Sequence, residues 1–172
     1  MKQLLRRIAA QKKKIFLAVM CIAVLIQFIR PERNEGSISS VNDITKATSV
    51  SPEIQSILAT SCFDCHSDKT QYPWYTNIQP IGWLMASHVT DGKKEVNFSQ
   101  FNTYSIKRKM KKYHEIEEQL EEGEMPLDSY LWIHRDAKLS PTQKKLVMDW
   151  AVSNRIALEQ QFPDSIAKKR LN

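Results

Sequence analysis

Cys62-Phe63-Asp64-Cys65-His66 sets two thiols three positions apart, with an imidazole directly after the second. This is the attachment signature of a c-type haem. Each thiol can add to one vinyl group of the porphyrin, so the two sulfurs must bracket one edge of a flat macrocycle. The imidazole that follows is carried beneath the ring, where a nitrogen can bind the iron. The expectation is one covalent haem c, tethered by Cys62 and Cys65, with His66 as the proximal iron ligand. The chain carries a single copy of the motif.

Six residues are candidates for the other axial position: Met85, His88, Met110, His114, Met125 and His134. Met110 and His114 sit on a long, strongly charged helical stretch and suit packing or solvent. Met125 follows Gly123-Glu124 and precedes Pro126, on a loop just past a helix stop. A thioether on such a loop can be aimed at iron without breaking a helix. Met125 is therefore the expected distal ligand, with His88 as the alternative. A methionine that merely fills a core gap is the structural alternative for Met125. Tyr72, Trp74, Trp83 and Trp132 are candidate pocket walls, since large flat side chains suit a macrocycle and their polar tips can reach propionates.

These residues need a scaffold, and the pattern from Ser51 onward is helical, with no convincing strand alternation. Ser51-Pro52-Glu53 reads as an N-cap, a proline in the first turn and an early acid, starting a short helix that delivers the chain to Cys62. A second helix is expected over residues 80–90, closed by Asp91-Gly92. A third spans 105–122, with Ile106, Met110, Tyr113, Ile116 and Leu120 on its apolar stripe and Gly123 as its stop. A fourth starts at Ser140, where Ser140 and Gln143 fit a capping box, and runs towards Leu158. The fold class is all-α: a small, cytochrome c-like helical domain over residues 51–160, followed by a tail at 161–172.

The 172 residues carry a formal charge of +6. Residues 1–14 hold six basic side chains and no acid, which leaves 19 basic and 19 acidic residues for the rest. A basic arm ahead of an apolar run points to a membrane, so nucleic acid is excluded as a partner. Residues 15–29 are apolar except for Gln27. As a helix this run reaches about 22 Å, short of the ~30 Å hydrocarbon core, and flanking Lys and Arg can snorkel to make up the difference. A cleaved signal peptide is the alternative, but residues 27–31 offer no small-x-small site. The reading is a cytoplasmic arm at 1–14, a transmembrane anchor at 15–30 and a flexible linker at 31–50. The haem domain then lies on the periplasmic, extracytoplasmic side of the cytoplasmic membrane.

Cys62–His66, then Tyr72-Pro73-Trp74-Tyr75, His88-Val89, Asn97-Phe98-Ser99 and Gly123-Glu124-Met125-Pro126 follow one another in a distinctive order. Over residues 51–152 this resembles the haem-binding-domain family of bacterial membrane-anchored monohaem c-type cytochromes. The resemblance implies a cytochrome c-like fold, one covalent haem and an exported domain. Lys93 and Arg135 depart from it, standing where arginine and proline are usual.

The expected function is single-electron transfer between redox partner proteins, as a carrier rather than a catalyst. The alternative is an open distal site serving a peroxidase-like enzyme or a gas or redox sensor. A zinc or thiol-redox role for Cys62, Cys65 and His66 is a further rival, weakened by the lack of a second cysteine pair. The third helix is charged against its dipole, basic first and acidic last. A solvated face explains this; so would an acidic end that steers a cationic partner.

Overall fold

The computed structural model describes residues 2–37 and 40–163. Its helices are α1 (Lys2–Leu25), α2 (Ile44–Ala47), α3 (Pro52–Ser61), α4 (Phe63–His66), α5 (Ile81–Glu95), α6 (Ile106–Glu122), α7 (Asp128–Leu131) and α8 (Pro141–Gln161). Short 3-10 turns join several of them. Among the described residues the only β pairing is an isolated bridge between Glu35 and Lys69. The all-α expectation holds. Most of the tail expected at 161–172 lies outside the described residues.

The chain divides into two compact units. One combines the described residues up to Arg33 with Gln71–His88, and the other combines Asn34–Thr70 with the described residues from Val89 onward. In the first unit α1 takes up the basic arm as well as part of the apolar run, and a 3-10 turn (Ile26–Phe28) follows it. No helix of the described residues is long and apolar enough to cross a membrane, which corrects the transmembrane helix expected at 15–30. Only Ile15 through Leu25 of the run is α-helical, about 17 Å at 1.5 Å per residue, and the turn before it carries Lys12, Lys13 and Lys14.

The second unit is built on α6 packed along α8, with α3 against α8. Ser105 caps α6 by accepting from the Arg108 amide, and Gly123 ends it at φ 80°, the stop expected from the sequence. Ser140 and Gln143 form the capping box of α8, also as expected. Between the helices, the Phe101 and Tyr113 rings meet at a tilt of 57° with centroids 5.1 Å apart, and Tyr113 meets Trp150 edge-on at 5.6 Å. Ile54, Ile57, Leu58 and Val147 close this core.

The stretch 31–50, read as a flexible linker, is partly packed. Asp43 caps α2 through the Thr45 amide, and Ile44 is fully buried in the core. Its polar composition hid one anchoring isoleucine and a cap. Helix α5 also differs from expectation, running to Glu95 with Gly92 inside it. Gly92 is there to allow a close approach, described next.

Candidate functional site: a haem cavity

Ser51 accepts from the Ile54 amide and Pro52 opens α3, whose buried Ile54, Ile57 and Leu58 pin it to the core. The last turn therefore delivers Cys62 to a fixed place. The Cys62 carbonyl accepts from the amides of Cys65 (3.3 Å) and His66 (3.0 Å), folding the five-residue motif into the single turn of α4. Both thiols are partly buried. Burial, with a smaller push from Cys65, raises the Cys62 thiol to about 12. Burial followed by the Asp64 charge raises Cys65 to about 11. Both are neutral thiols at physiological pH.

His66 has its Nδ1 3.1 Å from the Val96 carbonyl oxygen. A carbonyl only accepts, so Nδ1 carries the proton and Nε2 keeps its lone pair. Burial lowers the His66 pKa, opposed in part by hydrogen bonds to the Val96 and Gly92 carbonyls, so the neutral ring is favoured. Phe98 packs against it at 5.9 Å. A neutral, oriented imidazole with a free Nε2 is what a metal ligand requires.

The backbone at Gly92, near the end of α5, comes close to the turn of α4. A Cβ added at Gly92 would stand 2.8 Å from the Cys65 carbonyl oxygen and 3.2 Å from its carbonyl carbon and Cβ. Nearby, Asp68 accepts from Asn97 (2.8 Å) and Gln100 (2.7 Å) and pairs with Lys93 at 2.9 Å. Burial alone would raise the Asp68 pKa, but the bonds from Gln100, Asn97 and Lys93 outweigh it and hold the carboxyl below 3.8. Lys93, one of the departures from the resemblance, is thus engaged with Asp68 and the Asn34 side chain (2.7 Å). Tyr130 donates to Asp64 at 2.8 Å, fastening the segment after Met125 to α4. His134 stacks on Tyr130 at 4.0 Å.

A cavity of about 370 Å³ opens beside α4. Cys62, His66 and Met125 share its wall, with apolar sides from Ile57, Leu58, Phe98, Ile116 and Leu120. Cys65 does not line it, although it is on the same turn. Four charged residues also line it: Glu95, Lys112, Glu115 and Glu118.

A family model described as a haem-binding domain matches residues 21–153. The chain belongs to the haem-binding-domain family. The match takes in the packed stretch before Ser51, which the sequence resemblance left out. Searches of curated proteins and of solved structures find no match.

The donor set of this haem-binding domain fits its group. A ligand-competent imidazole and a thioether open onto one cavity, and its volume lies in the range of ligand sites, roughly 300–1,000 Å³. Among the described residues no group of three or more His, Cys, Asp or Glu side chains is arranged to hold a bare metal ion. Tyr72, Trp74, Trp83 and His88 belong to the first unit and do not line the cavity. Trp132 is 77% exposed and does not line it either. Met85 and Met110 are buried, and His114 is exposed.

Three contributors escaped the sequence reading. Val96 acts through its carbonyl, which no side chain signals. Gly92 looked like a helix stop. Lys112 looked like one more charge on a solvated face, yet it is buried and bridges Glu115 (2.5 Å) and Glu95 (3.6 Å). Its spacing was a usable signal, because Lys112, Ile116 and Leu120 recur every four residues on one face. Lys111 pairs with the same Glu115 at 2.9 Å.

Proposed function

We propose that this haem protein is a monohaem c-type cytochrome that carries single electrons at the outer face of the cytoplasmic membrane. Cys62 and Cys65 form the thioether tethers, His66 Nε2 is the proximal ligand and the Met125 thioether the distal one. The observation that carries the reading is His66 held by the Val96 carbonyl, on the wall of the cavity that also receives Cys62 and Met125.

Bound there, haem c supplies a ferric/ferrous couple, and a thioether ligand favours the ferrous state and raises the potential. The protein's part is to hold the imidazole in one tautomer, exclude water with the apolar walls, and fix the charges around the ring. Held by both His66 and Met125, the iron would have no position left for substrate, and the protein would act as a carrier. Redox partner proteins are then its only reactants.

Membrane attachment is assigned to the apolar run at 15–29. Its helical residues are exposed on every side, and an apolar helix without a covering element needs lipid or protein around it. Lys12, Lys13 and Lys14 suit anionic headgroups. Haem that stays on the protein through acid-acetone extraction, and is lost in Cys62→Ser/Cys65→Ser, supports covalent attachment. Tight carbon monoxide binding by the ferrous wild type would instead assign an open distal site, and with it an enzyme or sensor.

A further inference from the structure

Gln27 is the one polar residue in the apolar run, and it has a specific task. Its side-chain amide pairs with the backbone of Gln79: Oε1 accepts from the Gln79 amide at 2.9 Å and Nε2 donates to the Gln79 carbonyl at 3.2 Å. Trp83 Nε1 donates to the Ile29 carbonyl at 2.8 Å. Arg33 donates to the Asn77 side chain at 2.6 Å and lies over the Tyr72 ring at 4.8 Å. The end of the apolar run is therefore fastened to the segment 72–83 of the haem-binding domain. This is a built junction.

That segment turns apolar groups outward. Trp74 is 75% exposed and Phe28 80%, and Ile29, Ile78, Ile81 and Leu84 are exposed as well. Ile81 and Leu84 are three apart on the first turns of α5 and so share a face. The patch continues an apolar helix that is itself exposed all round and is preceded by three lysines. An exposed tryptophan beside such a run matches the aromatic belt at a bilayer surface.

We infer that the segment 74–84 is a second membrane contact, seated in the lipid interface beside the apolar run and locked to it through Gln27–Gln79 and Trp83–Ile29. The partner is a phospholipid bilayer with anionic headgroups. Trp74, Ile78, Ile81 and Leu84 enter the headgroup–acyl boundary, and Gln27 gives the run a rigid connection in place of a swivel. This rests on the membrane attachment proposed above and adds an oriented contact to it.

The test uses the full holoprotein, carrying Cys21→Ser, in vesicles of phosphatidylcholine and phosphatidylglycerol. Spin labels are placed by Ile81→Cys or Leu84→Cys, one at a time, and their collisions with oxygen and with a water-soluble nickel chelate are compared. Oxygen should dominate at both positions, and the preference should fall when Gln27→Leu is added, while the protein still floats with the vesicles in a sucrose gradient. Labels dominated by nickel on a vesicle-bound protein would overturn the second contact and leave the attachment standing. A protein that does not float with the vesicles would overturn both.

Discussion

Gly92→Ala is the sharpest perturbation of the site that leaves every ligand in place. Two opposing effects set its size. Alanine is favoured over glycine inside a helix by about 1 kcal/mol. Against this, the new Cβ would meet the Cys65 carbonyl oxygen at 2.8 Å and two further Cys65 atoms at 3.2 Å. Oxygen and carbonyl carbon are backbone of the motif itself and have no rotamer through which to yield, so the overpacking cost falls at about 2–3 kcal/mol. The net loss is about 1–2 kcal/mol. For a chain of this length each kcal/mol lowers the melting temperature by about 2–4 °C, giving a fall of about 2–8 °C. Circular dichroism melts of the holoprotein read this directly, and Gly92→Val should lose more, because its branched side chain adds bulk and lowers helix propensity. A Gly92→Ala protein at least as stable as wild type would refute the close approach of α5 to α4.

Gly123 is the opposite kind of glycine: an added Cβ meets nothing nearer than Lys144 Nζ at 3.8 Å, but φ is +80°. Gly123→Ala should cost about 1–2 kcal/mol from backbone conformation alone, seen in a denaturant titration. The Asp68 carboxyl, held below 3.8, contributes stability that is fully present above that value and lost as pH falls through its lower folded pKa. Asp68→Asn should therefore flatten the acid limb of the stability–pH curve below about pH 4 and leave its shape unchanged at neutral pH. Lys112 is the one cation among four charged groups lining the cavity. Lys112→Met should lower the midpoint potential and Glu115→Gln should raise it, because positive charge near the iron favours the ferrous state. Spectroelectrochemistry would detect either shift, and unchanged potentials in both variants would remove the field effect.

How far the sequence carried the argument depended on whether a residue acts through its side chain or its backbone. Ser51, Gly123 and the Ser140/Gln143 box announced helix ends by side-chain chemistry or by the lack of a Cβ, and all three stand where they were expected. Cys62, His66 and Met125 were singled out by type and spacing, and the fold brings them to the wall of one cavity. Val96 serves through a carbonyl that any residue has. Gly92 was misread because a glycine after Asp91 looks the same whether it ends a helix or lets another backbone pass. The aromatic residues Trp74 and Trp132 suggested pocket walls by composition alone, and both are largely exposed. Polarity of the surrounding stretch likewise concealed Ile44, which is fully buried in the core.

Ligation of the iron is the centre of the account, and the ferric absorption spectrum reads it. Wild type, Met125→Ala and His88→Ala, each produced with haem-maturation machinery, should be compared for the thioether-to-iron charge-transfer band. The account predicts the band in wild type and His88→Ala and its loss in Met125→Ala. A band that persists in Met125→Ala, or disappears in His88→Ala, would contradict it.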